Sequence, residues 1–339
     1  MPAPVVIVGA GLAGASAAAH LSASREVWVL DDGHPGATHA AAGLVNPFLG
    51  RKARPAWRHA EALAALRELS GAVGGPVVWE PILRPAADAK QAAVFRERAS
   101  ECPGGLSFLD ASAAAARAPG LIAPHGALVV HEGGRVELGA FARALLDLAQ
   151  RQGARVVRGS GRGFADLAGS GATVLLCAGR GLAALAPELP LHAVKGQTVR
   201  LRPAGGWSLL PIAGRTYLLP AAGGTVVVGA TFEHGATDPA PTDRATADLH
   251  ARAAALAPAL ADAPVVEARA GFRMTVPAAV RPGRLPLVGP VPGREGVWAF
   301  GGLGAKGLLT APLLARSLGA WLGAPAEIPP EVSTLGLPR

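Results

Sequence analysis

Val5-Val6-Ile7-Val8-Gly9-Ala10-Gly11-Leu12-Ala13-Gly14 decides the fold of this 339-residue chain. Its first four residues are a β-branched run without polar alternation, the pattern of a short strand buried on both faces of a parallel sheet. A G-x-G-x-x-G follows without a gap. Ala15 to Leu21 then reads as a small-residue helix, and Glu26-Val27-Trp28-Val29-Leu30 as a second strand ending at Asp31-Asp32. In such a unit Gly9 permits the tight turn, Gly11 lets the backbone approach a pyrophosphate, and Gly14 allows close helix–strand packing. The helix N-terminus turns unpaired N–H groups and a positive dipole end toward the phosphates, and Leu12 and Ala13 in the turn are expected contacts as well. Asp31, 22 residues beyond Gly9, stands where a carboxylate accepts from a ribose hydroxyl, which argues against a ribose phosphate there. The alternative is a glycine-rich loop of another α/β fold, which leaves strand, helix and terminal acid as coincidences. FAD and NAD share this fingerprint, so the rest of the chain must choose between them.

Composition narrows the setting. Hydrophobic residues make up 50% and charged residues 17%, with a mean hydropathy of +0.32, which excludes a disordered chain and favours a buried core. The length is about twice the soft prior for one domain. The 45 Gly and 30 Pro show no triplet period, so a collagen-like chain is excluded. A net charge of +8 and a pI near 10.6 suggest a polyanionic partner. However, Lys52, Lys90, Lys195 and Lys306 are the only lysines, so 28 of the 32 basic residues are Arg, which reads as the bias of a GC-rich coding sequence. Residues 3–24 lack Asp, Glu, Lys and Arg, as a signal peptide or membrane span does, yet no basic stretch precedes them and glycines interrupt them. Neither Cys102 nor Cys177 sits in a CxxC, so no disulfide framework or cysteine zinc site is expected, and the reducing cytoplasm is the expected location. His34, His39, His125, His131, His192 and His234 lack metal-ligand spacing, so no metal is expected.

Further segments carry a family resemblance. Gly36-Ala37-Thr38-His39-Ala40-Ala41-Ala42-Gly43-Leu44-Val45-Asn46-Pro47 is similar to the second FAD-contacting segment of the D-amino acid oxidase/glycine oxidase superfamily. Gly126 to Val130 with Gly134-Arg135-Val136-Glu137, then Gly153-Ala154-Arg155-Val156-Val157, then Thr173 to Leu176 with Cys177-Ala178-Gly179 resemble its later strands in order. Val194-Lys195-Gly196-Gln197, Tyr217-Leu218-Leu219-Pro220, Val227 to Thr231 and Ala270-Gly271-Phe272-Arg273 agree as well. The last block is Arg284 to Gly289 followed by Gly301-Gly302-Leu303-Gly304-Ala305-Lys306-Gly307-Leu308-Leu309. It most resembles the FAD oxidase domain of the bacterial enzyme that modifies the carboxymethylaminomethyl wobble uridine of tRNA, a domain of the same superfamily.

The resemblance implies FAD, an α/β fold with a Rossmann-like FAD domain of the glutathione-reductase type, and an inserted, mainly antiparallel α+β substrate domain. The FAD domain is expected at 1–75, 130–182 and 265–325, and the substrate domain at 76–129 and 183–264. Residues 326–339 form a Pro-rich tail expected to run extended over the surface. Besides the glycine turn, expected FAD contacts are Asp32, Thr38, His39, Ala42, Gly43, Val156, Cys177, Ala178, Gly179, Gly302, Gly304, Ala305, Lys306, Gly307 and Leu308. Strands are predicted at Gln197 to Leu201, Thr216 to Leu219 and Thr225 to Gly229, with antiparallel pairing. Helices are predicted over Glu61 to Leu69, Leu138 to Gln152, Ala245 to Leu260 and from Leu308 to Leu322.

Family members oxidise a carbon–nitrogen bond beside a carboxylate, so a guanidinium is the natural partner. Arg273 falls on the family's substrate-carboxylate Arg; the alternative is a surface Arg on a strand edge. Tyr217, the single tyrosine, falls where the family often has a substrate-facing aromatic, or it is a packing residue. Lys306 opens a predicted helix, where a cation is unfavourable unless an anion is near, such as a reduced flavin. The small Leu303-Gly304-Ala305 departs from glycine oxidases, which carry a polar or basic side chain in this loop, and this weakens simple glycine oxidation. The basic run Arg51-Lys52-Ala53-Arg54-Pro55-Ala56-Trp57-Arg58-His59 reads as an anionic-substrate gate, an RNA-backbone contact or a solvated loop. Covalent flavin attachment through Cys102 has no supporting motif. The leading expectation is an FAD-dependent amine or amino-acid oxidase, reoxidised by dioxygen, acting on a small carboxylated amine. The alternatives are an oxidase of carboxymethylaminomethyl-uridine on tRNA and a flavin-binding protein without turnover.

Overall fold

The computed structural model describes residues 2–159 and 171–337. Val5–Val8 lies inside a six-stranded sheet, parallel to Val27–Asp31 on one side and to Thr173–Leu176 on the other. Arg155–Arg158 extends the sheet beyond Val27–Asp31, while Val297–Gly301 lies parallel to Thr173–Leu176 and the antiparallel Leu287–Pro290 forms the other edge. Val5 and Ile7 pack into one apolar cluster and Val6 and Val8 into another, so both faces of the strand are covered. That is the physical reason for its unbroken apolar run.

The helix Leu12–Leu21 starts earlier than the predicted Ala15, directly at the glycine turn. Its alanines let it pack closely against the helices Leu138–Arg151 and Gly307–Ala315. The predicted helix to Leu322 is interrupted at Arg316–Ser317 and resumes as Leu318–Trp321. Asp243–Leu256 is capped by the Thr242 hydroxyl, which accepts from the Ala245 N–H at 3.3 Å, and Pro258 starts a separate short turn rather than prolonging the helix. His59–Gly71 is one turn longer than predicted, with Arg58 in the left-handed region before it.

A second, nine-stranded sheet runs in the order Glu233–His234, His192–Leu201, Thr225–Gly229, Tyr217–Ala221, Ile212–Ala213, Ile82–Pro85, Ala127–Val130, Leu106–Leu109, with Val265–Thr275 also paired to His192–Leu201. The three strands predicted here pair antiparallel as expected, while Ile212–Ala213 and Ile82–Pro85, whose long connection permits it, pair in parallel. One expectation changes. Val265–Thr275, expected with the 265–325 piece of the FAD domain, runs in this sheet, antiparallel to His192–Leu201 along nearly its whole length. One face of the sheet packs Val199, Leu201, Leu218, Val226 and Val228 against Leu249 and Ala253 of the Asp243–Leu256 helix.

The tail is not a surface strand. Ser333 pairs with Val288, Val332 is fully buried, and the Thr334 hydroxyl donates to the Pro290 carbonyl at 2.7 Å. The buried Arg281 guanidinium donates to the Ser333 carbonyl at 2.7 Å and to the Pro286 carbonyl. Backbone pairing and a fixed cation thus satisfy the polar groups that would otherwise keep this segment in water. Among the described residues, no helix is long and apolar enough to cross a membrane.

Candidate active site

A cleft of about 1460 Å³ is lined by residues of both sheets, larger than a pocket for a small ligand alone. At its nucleotide end Val8, Leu30, Asp31 and Cys177 lie at or just beyond the carboxyl ends of parallel strands, where open α/β sheets bind their ligands. Gly9 has φ +104°, and a Cβ there would stand 2.7 Å from the Cys177 carbonyl oxygen. A Cβ on Gly14 would meet the Gly9 oxygen at 1.9 Å, so this glycine lets the helix sit against the turn. The N–H groups of Gly11 and Ala13 have no protein acceptor among the described residues, while the Leu12 N–H donates to the Thr38 hydroxyl at 3.0 Å. That last bond ties the second predicted FAD segment to the helix start. This open backbone cradle, ended by the half-buried Asp31 carboxylate, fits a dinucleotide.

Of the residues expected to contact FAD, Asp32, His39, Ala42, Gly43, Ala178, Gly179, Gly302, Gly304, Ala305, Lys306, Gly307 and Leu308 also line the cleft. Val156 does not: its side chain packs on the apolar cluster beside Leu138–Arg151, and Gly159 lines the cleft instead. Alternation along the Arg155–Arg158 strand explains the miss, since only the strand's end reaches the opening. Burial pushes the Cys177 thiol well above its ordinary range, so Cys177 is a small apolar wall residue. Cys102 packs beside Phe48 and Phe95 in another cluster and is not among the cleft-lining residues.

At the other end Arg273 and Tyr217 converge across two glycines. Arg273 lies over Gly196, where an added Cβ would come within 2.0 Å of Nη2, and Tyr217 lies over Gly229, where a Cβ would stand 2.5 Å from Oη. Gly196 and Gly229 occupy the two strands between them, so the missing side chains make the space in which guanidinium and phenol meet. Arg273 Nη2 donates to the Thr231 carbonyl at 3.0 Å, and Nη1 is buried with no partner among the described residues. Phe232, 64% exposed, covers the guanidinium at 4.1 Å from the ring centroid. Burial lowers the Arg273 pKa from its ordinary value, and the nearby phenol opposes the shift. Burial pushes Tyr217 up to about 12, against the pull of the Arg273 charge and the Ala42 backbone N–H.

Lys306 stands at the start of Gly307–Ala315 and donates to the Gly283 carbonyl. Burial, with the Arg284 charge beside it, lowers its pKa below the ordinary 10.5. The basic run forms the hairpin Phe48–Leu49/Arg54–Pro55, with Arg51, Lys52 and Arg54 exposed. Arg58 turns away to pair with Glu61. The sequence reading missed Arg84, a buried guanidinium that donates to the Phe48 and Gly50 carbonyls, both at 2.6 Å. Its pKa falls to about 10 through burial. It also missed Phe232 and Arg215; a lone aromatic or arginine after a strand gives no periodic signal.

Comparison with known proteins agrees with this geometry. A glycine oxidase of Pseudomonas aeruginosa is 32% identical, over 93% of this chain and 93% of its own. A tRNA 5-methylaminomethyl-2-thiouridine biosynthesis bifunctional protein of a Caulobacter species is 34% identical over 98% of this chain, which spans only 57% of that relative. The crystal structure of an iminodiacetate oxidase from a Chelativorans species superposes with a TM-score of 0.78 at 29% identity, covering 96% of this chain and 97% of its own. The sequence pattern of the DAO family, described as FAD-dependent oxidoreductase, matches residues 4–321. The chain therefore belongs to the DAO family of FAD-dependent oxidoreductases, and FAD is its cofactor.

Proposed function

We propose that the protein oxidises the carbon–nitrogen bond of a carboxylated amine, with secondary amines that bear a carboxymethyl group as the preferred class. The observation that carries this reading is Arg273 Nη1, a buried cationic donor without a partner among the described residues, in the cleft that also holds the FAD cradle. A substrate carboxylate would satisfy it, and the opposed Tyr217 hydroxyl offers a second hydrogen bond. Thr231, Gly196 and Phe232 hold the guanidinium from three sides, so it needs little reorganisation when the anion enters.

Bound FAD supplies the two-electron acceptor, and dioxygen takes those electrons onward as hydrogen peroxide. Loss of a hydride from the carbon beside the carboxylate of a neutral secondary amine leaves an iminium. Water then splits it into a protonated amine and glyoxylate. No side chain has to remove a proton in that sequence, in keeping with a site whose near groups are a cation and a phenol that burial pushes up to about 12. Arg273 and Tyr217 orient the reacting carbon, and Lys306 adds positive charge at the helix start.

The relative named for tRNA 5-methylaminomethyl-2-thiouridine biosynthesis, and the exposed Arg51 that lines the cleft with Lys52 and Arg54 exposed in the same hairpin, support a second reading, in which the carboxymethyl amine is carried on RNA. Anaerobic mixing of the FAD-loaded protein with glycine, N-methylglycine, longer N-alkylglycines, D-amino acids, proline and carboxymethylaminomethyl-modified tRNA separates the two. Bleaching by free N-alkylglycines is the expected result. Bleaching by the tRNA alone would transfer the assignment to RNA, and bleaching by none would leave a flavin-binding protein without this activity. Arg273→Ala is expected to keep the yellow cofactor and raise KM for carboxylated substrate roughly tenfold to a hundredfold. An unchanged KM removes Arg273 from the site.

A further inference from the structure

The cleft holds cations that carboxylate binding at Arg273 does not use. In the nine-stranded sheet, the strand carrying Arg273 lies three places to one side of Tyr217–Ala221, and Ile82–Pro85, carrying Arg84, lies two places to the other. Two strand spacings are roughly 10 Å. On that second side three guanidinium-bearing residues line the cleft: Arg51, Arg84 and Arg215. Arg215 occupies the turn between Ala213 and Tyr217, is exposed, and has no hydrogen bond or ion pair among the described residues. Arg51 sits in the hairpin that Arg84 holds by its two backbone bonds, and its contact with Asp88, at 3.4 Å, is open to solvent.

The acids of the cleft lie elsewhere. Asp31 and Asp32 end the strand at the nucleotide end, and Glu267 is paired with Arg200 and Arg269. Among the described residues, the Tyr217 side of the cleft is therefore positive without a lining carboxylate, and its hairpin is held by the buried Arg84, itself a positioning residue. Low-dielectric cleft walls strengthen such a field compared with the same charges on a flat surface.

We infer that the substrate carries a second anionic group, of carboxylate or phosphate type, received by Arg215 and Arg51 on the side of Tyr217 away from Arg273. This rests on the proposed carboxylate role of Arg273 and makes the substrate an amine anionic at both ends. Gly304 and Ala305 also line the cleft and bring little side-chain bulk to it, so that substrate length would be set by the separation of the two positive ends.

The test compares N-(carboxyethyl)glycine and N-(phosphonoethyl)glycine with the isosteric neutral N-(carbamoylethyl)glycine, in the FAD-loaded wild type, Arg215→Gln, Arg51→Gln and the double variant. In the wild type at low salt, kcat/KM for the better dianion should exceed that for the amide by about fivefold or more, through KM rather than kcat. Which dianion gains more identifies the anion. The preference should shrink with added salt and fall to near unity in the double variant. Turnover of dianion and amide with equal kcat/KM in the wild type, or a preference that survives in the double variant, overturns the distal site while leaving the amine-oxidase reading intact. If no amine reduces the flavin, that reading fails, and perturbation of the flavin's visible absorption by the same compounds decides the distal site. Tighter wild-type binding of a dianion than of the amide, levelled in the double variant, sustains it; equal binding or no binding overturns it.

Discussion

At the scale of the residue, the site depends on side chains that are missing as much as on those present. Gly196 and Gly229 create the space in which Arg273 and Tyr217 converge. Gly196→Ala places a methyl group 2.0 Å from Nη2 and must displace the guanidinium. FAD absorbance should persist while KM for a carboxylated amine rises roughly tenfold or more; an unchanged KM would mean that Arg273 does not bind the carboxylate from this position. The pH profile tests the charged groups. A neutral amine is needed, so kcat/KM should first rise with pH as the substrate ammonium deprotonates. Tyr217, raised to about 12, adds no fall below that pH. Lys306 has a lowered pKa, so it is cationic below that value and neutral above it, and its charge is lost at lower pH than an ordinary lysine's 10.5. If that charge assists hydride acceptance, an alkaline fall appears below 10.5 in the wild type and is missing in Lys306→Gln. An alkaline limb retained in the variant assigns it to another group. Arg273 and Tyr217 were legible as candidates from the segments around them, whereas Arg84 and Arg215 were not, because their importance comes from strands that meet only in the folded sheet.

At the scale of the element, the segments easiest to read are those whose local chemistry leaves one choice. The Val5–Val8 strand and the glycine turn follow from β-branching and from contacts that a Cβ would destroy. The tail misleads for the opposite reason. Its prolines and polar residues resemble a solvated segment, yet the Val288 N–H donates to the Val332 carbonyl at 2.9 Å and the Thr334 N–H to the Val288 carbonyl at 3.1 Å. Those partners are more than forty residues away, so no local pattern announces them. Val332→Asp buries a carboxylate where the wild-type side chain is fully enclosed, and an unpaired buried polar group costs about 1–3 kcal/mol or more. A fall in the melting midpoint of several degrees is expected by calorimetry, with flavin content preserved at low temperature. A variant that melts like the wild type would show that the tail does not pack on Leu287–Pro290. The long strand Val265–Thr275 is a related case: the sequence places it at the start of the 265–325 piece of the FAD domain, but its pairing partner, His192–Leu201, puts it in the other sheet.

At the scale of the whole molecule, the cleft that fits the cofactor is lined by residues of both sheets, so FAD binding there should contribute to their stability. Glycine-turn residues from the six-stranded sheet and Gly271, Arg269 and Tyr217 from the nine-stranded sheet line one cleft. Without FAD the N–H groups of Gly11 and Ala13 at the cleft have no protein acceptor among the described residues, and a bound pyrophosphate would satisfy them. Since FAD binds this folded arrangement and not the unfolded chain, free FAD at a hundred times its dissociation constant should stabilise the protein by about 2.7 kcal/mol. For a chain of this size that corresponds to a rise of roughly 4 °C in the melting midpoint. Removing the flavin and repeating the melt across a series of FAD concentrations should give a midpoint that climbs with each addition, with both sheets unfolding in one transition. A midpoint indifferent to FAD would show that the cleft does not bind it as a folded-state ligand. A transition that splits when FAD is removed would show instead that each sheet is stable by itself and that the cofactor couples them. The dinucleotide half of this coupling was readable from Gly9 to Asp31 alone, while the second half depends on strands as distant as Ile82–Pro85 and Ile212–Ala213 lying side by side.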